Sequence, residues 1–201
     1  MFVLPRSSSL PSFLFLLNFL FIFGVSKKTN GHCPKDWKNV TRPSGEWCMK
    51  IIYENYLIHS EAEKRCQEEG ATLSGFQNQM ESMWVTATVA SKIYPDTGSV
   101  WVGYRRIKDC LKSGVTANCT RLNSFEWTDK VTTGYHGVVW TCGQPSNYAY
   151  AQECATLTVG HTGYTEDGYQ VGTLDDAYCE TRFKKTPRDV RAIVCGKTPE
   201  C

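Results

Sequence analysis

Apolar positions along the chain change period several times, and each change marks an element. From "CPKDW" to "EWCMKIIY", residues Trp37, Trp47, Met49, Ile51 and Tyr53 alternate with polar neighbours, which predicts two short strands that Cys33 and Cys48 would staple as a hairpin. "HSEAEKRCQEEGATL" follows with good helix formers. Ser60 and Glu63 read as its capping box, Gly70 as its stop, and Ala62 and Cys66 as its inward face. "SGFQNQMESMWVTATVASK" predicts a second helix capped by Asn78 and Glu81, whose Met80, Met83, Trp84, Ala87 and Ala90 recur at helical spacing as a core stripe. Beyond it, "SVWVGYRR", "SFEWTD", "GVVWT", "ECATLTV" and "RAIVCG" are short strands between Gly-, Ser-, Thr- and Asn-rich turns. Two helices against a loop-rich β region make an α+β domain.

The N-terminus adds a destination. Arg6 precedes an apolar run from Phe13 to Phe23, broken only by Asn18, with small Gly24 and Ser26 behind it. That run is well short of the roughly 20 residues that span a bilayer, so residues 1–26 read as a signal peptide of a secreted, extracellular protein. Residues 27–32 form a short polar lead, and 33–201 are the domain. The formal charge is +2, and loss of Arg6 with the leader lowers it by one. Apart from the pairs Lys27-Lys28, Arg105-Arg106 and Lys184-Lys185 the basic residues are scattered as a solvated surface, so no nucleic-acid partner and no membrane span after signal removal is implied.

The ten cysteines all follow the leader, and an even number in an exported chain points to disulfides. Zinc is disfavoured because no C-x-x-C, H-x-x-x-H or H-E-x-x-H occurs. Sequons at Asn39 and Asn118 fit the secretory route, the second weakened by Cys119 at its middle position.

"CPKDW" with "WCMKI", "EAEKRC", "WVGY" in place of a W-I-G-L, "FEWTD", "QPS" followed by "EC", "LDDAYC" and "VCG" stand in one order. Together they resemble the C-type lectin-like domain in its longer form, from about Cys33 to Cys195. The resemblance implies two helices packed on antiparallel sheets with a long loop region closed by a disulfide. It implies the bridges Cys66–Cys195 and Cys154–Cys179, with Cys33–Cys48 as the hairpin bridge; Cys110 and Cys119, flanking a short loop, pair locally by simple inference. Cys142 and Cys201 are left over: either they join each other, or Cys201 links two chains, so an oligomer stays open.

In this family the sugar site is built on calcium, held by an x-Pro-x tripeptide, an acid before the third core cysteine and an Asn-Asp pair before the next. Carried over, the metal ligands are Gln144, Ser146, Gln152, Asp175 and Asp176, and Asn147 and Trp140 extend the set to a carbohydrate-binding face. Calcium takes about six to eight oxygens, preferably with several carboxylates. Here Asp175 adds a carboxylate in place of an amide, but Ser146 stands for Asn or Asp, Gln152 for an acid and Leu174 for tryptophan. Such a set is a weak Ca²⁺ site at best, roughly in the 10⁻⁴ to 10⁻³ M class. Tyr148, Tyr150, Tyr164 and Tyr169 crowd the same loops and suit sugars or protein patches alike.

No G-x-S-x-G, phosphate loop or dinucleotide fingerprint is present, and adjacent Asp175 and Asp176 on a strand would face opposite ways, so an enzyme is not expected. Two readings compete. One is a secreted lectin, weakly calcium-dependent, recognising glycans or a glycoprotein surface, with a role in defence or glycan recognition. The other is a calcium-independent module that binds a protein partner.

Overall fold

The computed structural model describes residues 31–182 and 184–200. The signal peptide assigned to 1–26, most of the polar lead and Cys201 lie outside the described residues. Eight strands are formed: β1 (Lys38–Arg42), β2 (Gly45–Ile52), β3 (Thr72–Leu73), β4 (Gly98–Arg106), β5 (Phe125–Trp127), β6 (Cys154–Val159), β7 (Leu174–Ala177) and β8 (Val190–Lys197). They form a single sheet in the order β1-β2-β8-β4-β6-β7, with β3 on β8 and β5 on β4. The expectation of purely antiparallel pairing needs one correction, because β4 and β8 run parallel at its centre. A parallel pair needs a long crossover, and the whole loop region between β4 and β8 supplies it. Both central strands are almost wholly buried, with Trp101, Val102, Tyr104, Ile193 and Val194 at 0 % exposure.

Helix α1 (His59–Glu68) buries Ala62 and Cys66 as the sequence predicts, but its cap differs. The Ile58 amide donates to Glu61 Oε2 at 3.0 Å, while Glu63, the expected capping partner of Ser60, accepts from the Leu73 amide at 2.9 Å and Thr72 Oγ1 at 2.8 Å. Helix α2 (Gln79–Ile93) is capped by Asn78, as expected, and is rotated about its axis from the expected core stripe. It buries Glu81, Ser82, Val85, Val89 and Ala90, leaving Met80 73 % and Met83 58 % exposed. The cause is Arg42, which is itself buried and donates twice to Glu81, at 2.7 and 3.0 Å, and also to Thr132 Oγ1 and the Gly75 carbonyl. A buried cation draws its carboxylate inward, and the helix face turns with it.

Among the described residues four disulfides join Cys33 to Cys48, Cys66 to Cys195, Cys110 to Cys119 and Cys154 to Cys179. Among the described residues Cys142 is an exposed free thiol; Cys201, whose pairing with Cys142 or with a second chain the sequence leaves open, lies outside the described residues. Both sequon asparagines, Asn39 and Asn118, are exposed. Among the described residues no helix is long and apolar enough to cross a membrane.

Candidate functional site

The turn Gln144–Asn147 is positioned by its last residue. Asn147 takes a left-handed conformation (φ 49°) and is only 2 % exposed, and its amide donates to the carbonyls of Leu111 at 3.0 Å and Ser113 at 2.8 Å. This moors the turn to the loop closed by Cys110 and Cys119. Asn147 therefore holds the loop together, and the expected sugar contact is corrected: its side chain faces inward. Ala149 and Tyr150 are also left-handed, at φ 53° and 54°. Each such residue costs about 1–3 kcal/mol and persists only where surroundings impose it.

The Gln144–Pro145 peptide is cis, and the turn aims two backbone amides at Asp176. Ser146 N donates to its Oδ1 at 2.9 Å and Asn147 N to its Oδ2 at 2.7 Å. The remaining partner is a cation from β4. Arg106, last residue of β4, places a guanidinium nitrogen 2.6 Å from Asp176 Oδ2, with side-chain exposures of 1 % and 0 %. Its Nε donates to the Gln152 carbonyl at 2.9 Å, and its guanidinium lies 4.5 Å from the centre of the Phe125 ring. Burial pushes the Asp176 carboxyl up and the Arg106 guanidinium down, against their attraction for each other. Strand alternation carries the missed signal, since in "GYRR" Tyr104 faces in and Arg105 out, which turns Arg106 in again.

The other expected ligands are also engaged. Gln152 Oε1 accepts from Ser146 Oγ at 3.0 Å and Tyr148 N at 2.6 Å, while its Nε2 donates to the Asp176 carbonyl at 2.6 Å. Asp175 turns to the opposite side of β7 and accepts from Arg188 at 2.7 Å. Arg188 also donates to Asp167 at 3.0 Å and lies 4.0 Å from the Tyr169 ring centre. Gln144 Oε1 and Asp175 Oδ1 are buried without a hydrogen-bond partner. Trp140, expected on the binding face, instead packs on Phe125 and Tyr104 and donates its indole N–H to the Arg121 carbonyl at 2.7 Å.

These residues do not fit calcium. One carboxylate already has three donors, including a full positive charge where a cation would have to stand, and the other faces away toward a second arginine. Among the described residues no group of three or more His, Cys, Asp or Glu side chains could hold a metal ion. What the loops do present is a depression of about 270 Å³ lined by Gln144, Ser146, Tyr148, Gln152, Tyr169 and Arg188, among others. Tyr148, Tyr150 and Tyr164, at 71, 55 and 61 % exposure, stand out from the loops.

Burial raises Asp175 from 3.8 to about 7, despite Arg188. Folding therefore takes up a proton at this residue, so its contribution to stability is complete below about pH 4 and is lost as pH rises through about 7. His59 works oppositely, because burial lowers it to about 4, and its contribution is present above about 6.5 and lost as pH falls through 4. Comparing wild type with Asp175→Asn cancels the histidine. The stability advantage of wild type over the variant should fall by about 2 kcal/mol between about pH 5 and pH 7, measured by urea unfolding. A flat difference would show that Asp175 remains ionised across that range.

Residues 37–198 match the family described as C-type lectin domain-containing protein 141/158. Snaclec bothroinsularin subunit alpha of Bothrops insularis is 28 % identical over 109 residues, 53 % of this chain and 71 % of that protein. Among solved structures, the C-type lectin CEL-I from Cucumaria echinata superposes with a TM-score of 0.57 at 20 % identity, covering 85 % of this chain and all (100 %) of that one. A calcium-independent type II antifreeze protein gives a TM-score of 0.51 at 20 % identity, covering 85 % and 97 %. At such identities the structural likeness shows the fold alone.

Proposed function

The chain belongs to the C-type lectin domain family, and from that premise we propose that it is a secreted recognition module that binds its partner without calcium, through its tyrosine-rich loop face. The observation that carries this reading is the buried Arg106–Asp176 pair, which supplies within the protein the positive charge that a metal would otherwise bring. Family membership favours binding over catalysis, and a neighbour of the same fold is itself described as calcium-independent. A protein or glycoprotein surface suits the loop face best. The depression, at about 270 Å³, falls just below the usual range of about 300–1,000 Å³ for a small-ligand pocket, while the exposed Tyr148, Tyr150 and Tyr164 are of a residue type enriched at protein interfaces.

The test is a paired screen of a glycan array and an array of extracellular proteins, each with calcium and with EGTA. Binding that EGTA leaves unchanged is expected, and Tyr148→Ala should weaken it by about tenfold, as truncation of an exposed aromatic anchor does. Chelator-sensitive binding on either array would overturn the reading.

A further inference from the structure

Of the stripe that the sequence marks as core, Met80 and Met83 stand out from the surface of α2, and Trp84 is only partly buried. Met80 and Trp84 line a groove of about 420 Å³ between the first turns of α2 and strand β1, whose Lys38, Val40 and Thr41 form the opposite wall. Apolar side chains gathered at a surface mark interaction sites. The strand wall adds a second feature. β1 is the outermost strand of its end of the sheet, and among the described strands it is bonded only to β2. Its outer edge therefore carries backbone N–H and C=O groups that no strand meets.

The polar groups around the groove narrow the occupant. The indole N–H groups of Trp47, Trp101, Trp127 and Trp140 each have an acceptor within the protein. That of Trp84 has none among the described residues and is not sealed from solvent. Lys38 is exposed, and among the described residues it has no carboxylate partner. The groove thus offers apolar side chains, an indole donor, an ammonium group and a strand edge. A helix closes its backbone hydrogen bonds on itself and cannot pair with that edge. An extended segment can, and every second side chain of it then faces the groove. Its carbonyls suit the Trp84 indole, and a carboxylate suits Lys38. A second copy of this chain suits the edge less well, because β1 laid antiparallel on itself about Val40 sets Lys38 opposite Arg42, and like charges in that relation are unfavourable. The sequon residue Asn39 alternates with Lys38 and Val40, so it points to the other face of β1, away from the side of the groove that they line.

We propose that an extended, acidic segment of a partner protein adds to the outer edge of β1, with alternate apolar side chains seated against Met80 and Trp84 and a carboxylate on Lys38. The site is separate from the loop face and does not depend on it. The probes are short capped peptides of alternating valine and threonine between two glutamates or between two lysines, titrated into the full domain while the ε-methyl resonances of Met80 and Met83 and the β1 amides are followed by NMR. The glutamate peptide should shift Met80 saturably and bind about fivefold more tightly than the lysine peptide, and Lys38→Glu should reverse that order. Met80→Ala should weaken binding by about tenfold, and Tyr148→Ala should leave it unchanged. N-methylation of one alternate set of peptide amides should abolish binding, while methylation of the other set leaves it, since only one set faces a neighbouring strand. The proposal fails if the glutamate peptide leaves Met80 unmoved at millimolar concentration, or if Lys38→Glu keeps the order of the two peptides. It also fails if both methylated peptides bind as the parent does, the result expected of apolar adhesion alone. Sedimentation of the free domain tests the other occupant: a dimer that Met80→Asp dissociates would put a second copy on this edge and overturn the proposal.

Discussion

Replacement of Arg106 by alanine should cost about 3–5 kcal/mol of folding stability, the loss expected when one partner of a buried ion pair is removed and the other is left uncompensated. Asp176 would retain the amides of Ser146 and Asn147 but lose its only countercharge, at 0 % exposure. The Gln152 carbonyl would lose its donor as well. Arg106→Met combined with Asp176→Asn should recover part of the loss, because no unpaired charge remains and the asparagine carbonyl still accepts from one of the two turn amides, while its NH2 faces the other. Urea unfolding of the two single variants and the double variant measures this coupling. If the single substitutions cost no more than an exposed salt bridge, about 0–1 kcal/mol, the pair is not the internal cation that the proposed calcium-free reading requires.

Removal of the Cys66–Cys195 bridge by paired alanine substitution is expected to have a comparable or larger effect. It ties α1 to β8 across a sequence separation of 129 residues. In the chain-entropy account a loop of that length contributes about 5 kcal/mol, as much as the whole stability of many domains, about 5–15 kcal/mol. The Cys110–Cys119 bridge closes only nine residues, and the same account gives it distinctly less. Thermal unfolding of the two paired variants should rank them in that order. An equal loss would show that local packing around the short loop, where Asn147 is moored, outweighs chain entropy.

The order of elements was legible because it depends on local pattern. Strand alternation in "EWCMKIIY" and helix formers between Asn78 and Ile93 each act over a few residues, and the structure places a strand and a helix accordingly, while the four bridges agree with the resemblance and with the local pairing of Cys110 and Cys119. The inward face of α2 was not legible. A hydrophobic stripe through Met80 and Met83 is locally as good as the one observed, and the choice between them is made by Arg42, which is distant in sequence from Glu81 but 2.7 Å from it in space.

The candidate site divides in the same way. The sequence by itself determined which oxygens would be near the turn, since Gln144, Ser146, Gln152 and Asp176 are indeed brought together. Only the tertiary structure decided what those oxygens hold. Arg105 and Arg106 are adjacent and chemically identical, and one faces solvent while the other is buried against Asp176, 70 residues further along the chain. Whether an ion site exists depends on the summed charge that β4, the 144–147 turn, Gln152 and β7 deliver to one small volume. That sum is a property of distances across the fold, and in a buried space a single guanidinium is enough to reverse it.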